Sequence, residues 1–176
     1  MELTETVIGT EEVFQGKLIH LRVNTVRLPN GNEAKREVVV HKGAVCIVPV
    51  QDDGTVLMIR QFRLAAGRVL FEIPAGTLEI GEEPDACAAR ELEEETGYTA
   101  ANLRPLFSAY LAPGYSTELI HAYLATGLTK THAHTDDDEN VELVPIPLAD
   151  LERRVLAGEL QDAKTIAAVL TAIRLL

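Results

Sequence analysis

The sequence offers little for soft-metal or disulfide chemistry. Its 176 residues hold two cysteines, Cys46 and Cys87, at no metal-ligand spacing. Cys46 sits in the apolar run GAVCIVPV and Cys87 in a predicted helix, so both read as reduced, packed thiols. There is no apolar run of 18 or more residues and no basic-then-apolar leader pattern, so neither a membrane span nor secretion is expected. The cytoplasm is the expected location. Base is scarce as well: 16 Lys and Arg face 27 Asp and Glu, a net charge of −11. That is the wrong sign for an ordinary duplex-binding surface, so no nucleic-acid partner is expected. No repeat, linker or low-complexity tract interrupts the chain. With 47% hydrophobic and 24% charged residues, it suits one globular unit with a proper core.

The charge that is present is concentrated. Residues 76–98, GTLEIGEEPDACAARELEEETGY, carry eight acids and one base, and residues 136–142, DDDENVE, carry five acids. The remaining chain is nearly neutral, with 14 acids and 15 bases. Two acidic patches on a neutral body suit a polyvalent cation if the fold joins them.

Residues 17–28 and 33–41 read as strands around PNGN, where Asn30-Gly31 is a hairpin signal. Ile19, Leu21 and Val23 alternate with His20, Arg22 and Asn24, which predicts one buried face. Further strands are predicted at 44–50, 55–62, 69–73, 104–110, 118–125 and 142–147. A helix is predicted from Pro84, suited to a first turn, to just before Gly97, suited to the position past a helix end. Two more are predicted at 148–157 and from 162 to the C-terminus, the latter with Ile166, Val169, Leu170 and Ile173 at helical spacing. Strands interleaved with helices define a mixed α/β domain.

On the first helix, Glu91, Glu94 and Glu95 share a face, with Ala88 and Leu92 on a neighbouring apolar strip. Like charges at this spacing cost about 0.2–0.5 kcal/mol per pair. Glu93, Glu94 and Glu95 also lie in the last turn, where the helix dipole disfavours anions. Two readings fit: a solvated acidic face, or ligands for hard divalent cations that leave positions open for phosphate.

The pattern Gly76, five residues, Glu82, seven residues, then Arg90-Glu91-Leu92-Glu93-Glu94-Glu95-Thr96-Gly97-Tyr98 resembles the Nudix hydrolase signature. Every fixed Gly, Glu and Arg is in place; only Tyr98 departs, where a small aliphatic residue is commoner. The resemblance implies an α/β/α sandwich with a mixed sheet that hydrolyses nucleoside diphosphates linked to another moiety. It implies Glu91, Glu94, Glu95 and the Ala75 carbonyl as ligands for Mg²⁺ or Mn²⁺, two or three ions per site. Glu94 is also a candidate in the chemistry. Arg90 orients the glutamates and Glu82 supports the loop, or both form purely structural ion pairs.

Three stretches outside the signature resemble the family's ADP-ribose pyrophosphatase branch: RQFR at 60–63, a proline (Pro113) fifteen residues past Tyr98, and the hairpin ending in KREVVVH. By that resemblance Arg63 binds the phosphates, while Arg36 and Glu37 serve the adenine or ribose pocket, from a partner subunit if the hairpin is exchanged in a homodimer. Glu79 touches substrate too, and Pro113 lies by the site. Arg60 is either a phosphate ligand or a surface charge. Residues 1–42 then form an N-terminal β-hairpin region and 43–176 the Nudix domain. The branch carries its general base on a loop before a late strand, for which Glu139 fits first and Glu142 second. Alternatives are another nucleotide-sugar such as GDP-mannose, a dinucleoside polyphosphate, or a sensor that binds ADP-ribose without cleaving it. His132 and His134 read as polar loop residues, and the apolar C-terminal stripe as core or dimer contact rather than a membrane anchor.

Overall fold

A computed structural model describes residues 2–132 and 140–176. The elements in chain order are β1 (Thr6–Gln15), β2 (His20–Arg27), β3 (Glu33–Val40), β4 (Ala44–Pro49), β5 (Thr55–Arg63), a 3₁₀ turn (Leu64–Ala66), β6 (Arg68–Glu72) and β7 (Ala75–Thr77). They continue with α1 (Pro84–Thr96), β8 (Tyr98–Tyr110), β9 (Leu119–Lys130), β10 (Val141–Pro147), α2 (Leu148–Leu156) and α3 (Ala163–Ile173). Contacts divide them into two units.

The first unit is the chain up to Gly43 together with Tyr110–Leu119. Its core is an antiparallel meander, β1-β2-β3, in which β2 and β3 form the expected hairpin and β1 adds a third strand. The Asn30-Gly31 turn forms as expected, with Gly31 at φ 85° and its N–H donating to the Leu28 carbonyl at 2.9 Å. Only glycine adopts that left-handed backbone at no cost. The 110–119 segment joins through β3: the Val39 N–H donates to the Tyr115 carbonyl at 2.7 Å and the Thr117 N–H to the Val39 carbonyl at 3.0 Å. The buried face expected on β2 is absent. His20–Thr25 are all half-buried, Val26 alone is buried, and β1 is exposed throughout. A charged strand, TVIGTEEVFQ, completes the sheet without supplying a hydrophobic cover.

The second unit is a layered α/β body. β4 explains its architecture, because all six of its residues are buried, the signature of a strand covered on both faces. Val45 and Ile47 pack with Cys87, Ala88 and Leu92 of α1, whereas Ala44, Cys46 and Val48 pack with Ala168, Val169 and Ala172 of α3. α1 and α3 therefore cover opposite faces of the sheet β7-β4-β9-β8. β4 runs parallel to β9 and antiparallel to β7, so the sheet is mixed. This is the expected α/β/α sandwich. A second antiparallel sheet, β10-β5-β6, completes the unit. Fully burying a side chain such as Leu92 or Ile47 contributes about 1.5–3 kcal/mol, which holds α1 flat against β4. Among the described residues, no helix is long and apolar enough to cross a membrane.

Candidate active site

α1 is set by its ends. Pro84 occupies the first turn, where its missing N–H costs nothing. Gly97 ends the helix at φ 71°, and its N–H donates to the Glu93 carbonyl at 2.8 Å. Near the start, the Tyr123 hydroxyl donates to Asp85 Oδ1 at 2.7 Å, tying α1 to β9. With Ala88 and Leu92 pinned to the sheet, helical spacing turns Glu91 and Glu95 toward β7. They are only 9% and 5% exposed.

β7 receives them through its backbone. The Ala75 N–H donates to Glu95 Oε2 at 2.9 Å. Over Gly76 the Glu91 carboxylate lies so close that a Cβ there would overlap it. The signature glycine is thus the space in which a buried carboxylate sits.

Arg90 gathers the rest. Its Nε and Nη2 donate to the two oxygens of Glu82 at 2.9 and 3.0 Å, and Nη1 donates to Glu91 Oε1 at 2.7 Å and Glu94 Oε2 at 2.8 Å. Bidentate pairing of this kind is the strong form of an arginine–carboxylate contact. Chiefly through Arg90, and then through the Glu79 N–H at 2.9 Å, the Glu82 carboxyl is held down at about 2. The same contacts, led by Glu82, push the Arg90 guanidinium above its ordinary value.

One guanidinium among Glu82, Glu91, Glu94 and Glu95 leaves a formal charge of −3 in the site. Among the described residues, no three carboxylate, imidazole or thiol groups converge on a point. Glu91 and Glu94 both accept from Arg90, and Glu95 accepts from the Ala75 N–H. The donor set is nevertheless all hard oxygen with excess negative charge, which fits a hard divalent cation competing with Arg90 for the same atoms.

The other expected site residues are distributed as follows. Arg63, at the end of β5, donates through Nε and Nη2 to the two oxygens of Glu72, both at 2.8 Å. Its pKa is raised, first by Glu72 and further by the charge of Glu95. Arg60 pairs with Glu142 at 2.9 Å and lies 5.5 Å over the Phe71 ring; this contact occupies the second candidate for the base. Glu79 is exposed beside Glu82. Arg36, Glu37 and Pro113 belong to the first unit. Arg36 is held by Glu5 at 2.6 and 3.0 Å, Glu37 is exposed on β3, and Pro113 is exposed in the 112–116 turn. Glu139 and His134 lie outside the described residues.

Sequence reasoning missed one cluster. Glu72, 1% exposed, also accepts from Lys164 Nζ at 2.5 Å, and Lys164 donates to Asp162 Oδ2 at 2.9 Å. Asp162 caps α3 by accepting from the Thr165 N–H at 3.0 Å. Asp before an apolar helical stripe is a readable cap signal, but the Lys164–Glu72 bond spans 92 positions in sequence.

An α/β/α sandwich whose helix lays buried glutamates over a strand glycine presents an all-oxygen acidic site of the kind that metal-assisted phosphoanhydride hydrolases use. The NUDIX domain matches residues 40–169, and the nucleoside diphosphate sugar hydrolase N-terminal domain matches residues 5–39. The chain belongs to the Nudix family, whose hydrolases depend on divalent metal. It is 46% identical over 169 residues to the ADP-ribose pyrophosphatase of Bacillus subtilis (strain 168), covering 95% of this chain and 91% of that protein. It is 41% identical over 167 residues to the methanol dehydrogenase activator of Bacillus methanolicus, covering 94% and 90% respectively. A crystal structure of an ADP compounds hydrolase shares the fold at a TM-score of 0.87 and 23% identity, covering 99% of this chain and 95% of that one.

Proposed function

We propose that the protein hydrolyses ADP-ribose to AMP and ribose 5-phosphate. The observation that carries the hydrolytic reading is the placement of Glu91 and Glu95, buried and pressed against the Ala75–Gly76 backbone, with Glu94 tethered beside them by Arg90. The likeness to an ADP-ribose pyrophosphatase over 95% of the chain supports the choice of substrate.

In this reading Glu91, Glu94, Glu95 and the Ala75 carbonyl hold Mg²⁺ or Mn²⁺, two or three ions per site. When bound, the ions supply charge neutralisation for the pyrophosphate and a lowered pKa for the attacking water. The protein's own work is positioning, which is most of what phosphoryl transfer requires. Arg90 holds the carboxylates apart in fixed orientation, and Glu82 holds Arg90. Arg63 contacts a phosphate oxygen with the nitrogen that Glu72 leaves over. Glu79 and Arg60 line the approach. Water oxygen attacks one phosphorus, the bridging P–O bond breaks, and the water proton passes to a carboxylate. Glu139 is our assignment for that base. Glu142 is second because Arg60 already holds it.

Arg36, Glu37 and Pro113 contribute to the nucleoside end. We assign residues 1–42 to a hairpin region exchanged in a homodimer, with residues 43–176 as the Nudix domain. The exposed apolar side chains of Val7, Val13, Phe14 and Leu18 support a covered role for that region. The protein works in the cytoplasm on a small nucleotide.

The test is a kcat/KM panel of ADP-ribose, GDP-mannose and a dinucleoside polyphosphate under saturating Mg²⁺, read as nucleotide release. ADP-ribose should rank first. GDP-mannose ranking first would overturn the substrate and leave the chemistry standing. Tight ADP-ribose binding with no AMP formed would establish a sensor instead.

A further inference from the structure

Glu72 is the most deeply buried acid among the described residues, yet it lies three positions before the Ala75–Gly76 backbone that cradles the helix carboxylates. Taking an ion out of water costs several kcal/mol unless its lone pairs are satisfied. Here they are satisfied by two cations from different elements of the unit. Arg63, from β5, takes one edge with two bonds of 2.8 Å, and Lys164, from the start of α3, takes Oε2 at 2.5 Å. Lys164 is itself 10% exposed and is balanced by Asp162 at 2.9 Å. Two positive and two negative charges make the cluster neutral.

The neighbouring backbone is tied to the same helix cap. The Ile73 N–H donates to Thr165 Oγ1 at 3.0 Å, and Thr165 Oγ1 donates to Asp162 Oδ2 at 2.5 Å. Beyond it the Pro74 carbonyl accepts from the Ile47 N–H at 2.9 Å, and the Ala75 N–H is held by Glu95 at 2.9 Å. From Glu72 to Ala75 the segment is thus held from the α3 cap at one end and from the glutamate helix at the other.

Arg63 differs from Lys164 in exposure. Its side chain is 41% exposed, and among the described residues its Nη1 makes no hydrogen bond. Glu72 therefore grips the guanidinium by Nε and Nη2 and leaves the third nitrogen presented. A planar fork fixed on one edge aims the other edge, which is what phosphate recognition needs.

We propose that Lys164 is a positioning residue for the hydrolytic reaction: from the C-terminal helix it locks Glu72, and through Glu72 it fixes the edge of Arg63 offered to the substrate phosphates. Burial pushes the Glu72 carboxyl up, but Arg63 and Lys164 outweigh it and hold it at about 2, so the anchor stays ionised. Burial likewise pushes Lys164 down, and Asp162 and Glu72 more than restore it. Without Lys164, Glu72 would keep one cation only and Arg63 would lose its fixed tether.

This inference rests on the proposed phosphate contact of Arg63, so the test is a double-mutant cycle on ADP-ribose hydrolysis. Lys164→Met should lower kcat/KM by about 10–100-fold in the wild-type background, mostly through KM, and by less than about twofold in Arg63→Ala. Equal losses in both backgrounds would overturn the role of Lys164 alone. A wild-type rate for Arg63→Ala would sink the phosphate contact and this inference together. Where Lys164→Met folds poorly, Glu72→Gln/Lys164→Met removes the buried charges as a pair and should recover stability. Its kcat/KM should remain low; activity returning along with Tm would show that the cluster is only structural.

Discussion

Replacing Gly76 with alanine probes the contact on which the site is built. Gly76 lies in β7 with a backbone open to any residue, so the substitution acts only through the added methyl. That methyl would occupy the position of the Glu91 carboxylate. Carbon atoms need about 3.5 Å of separation, so the carboxylate must retreat by roughly 1.5 Å or β7 must shift. Overpacking of this kind costs about 1–3 kcal/mol, which at this chain length lowers Tm by about 2–12 °C. The effect on turnover should be larger in proportion, because a displacement of about 1 Å costs on the order of 10²-fold in rate. The assay is AMP release under saturating Mg²⁺, alongside thermal melting by circular dichroism. We expect a folded protein with kcat lowered about 100-fold and a weakened Mg²⁺ dependence. A kcat within threefold of wild type would refute the reasoning, because Glu91 would then have no need of the space over Gly76.

The remaining predictions concern the base, acid stability and the thiols. Glu139→Gln should lower kcat by about 10²–10⁴-fold with unchanged melting; normal turnover would move the role to another group, with Glu142→Gln measured next. Glu72 and Glu82 both have folded values of about 2, below the ordinary 4.5, so each adds stability above pH 4.5 that is lost as pH falls toward 2. Acid titration of Tm should fall across that window, and Glu72→Gln should flatten part of the fall; an unchanged slope would contradict the assignment. Burial pushes the Cys46 and Cys87 thiols to about 12, so both should resist a thiol reagent in the native state and react on unfolding. Rapid native labelling at pH 8 would show the two layers to be looser than described.

How much of this was legible in the sequence depended on the range of the interaction. α1 could be bounded to the residue because Pro84 and Gly97 act locally, and the mixed α/β class followed from interleaved runs such as GAVCIVPV. The grouping of Glu91, Glu94 and Glu95 followed from helical spacing, whereas the seat of Glu91 over Gly76 is seen only in the fold. β1 escaped notice because TVIGTEEVFQ is exposed at every position and carries no burial pattern. β7 has three residues and is defined by its pairing with β4 rather than by its composition. β8 and β9 ran longer than expected, from Tyr98 and to Lys130, since Ala100, Leu103 and Leu128 of the added ends pack against the cluster around Leu92, a contact their mixed local composition does not signal. The ion pairs were the least accessible. Arg63 was expected to meet phosphate, but its anchor Glu72 and the bracing Lys164 belong to different elements, and Arg60 meets Glu142 across 82 positions. Charge partners brought together only by tertiary structure leave no local trace.

The most direct measurement is Mn²⁺ uptake by electron paramagnetic resonance, paired with ADP-ribose turnover, for the wild-type protein and for Glu91→Gln and Glu95→Gln. The account predicts weaker Mn²⁺ uptake in each variant and a kcat lowered by at least about 10³-fold, consistent with loss of charge stabilisation at the reacting phosphate. Undiminished Mn²⁺ binding together with full turnover in either variant would contradict it.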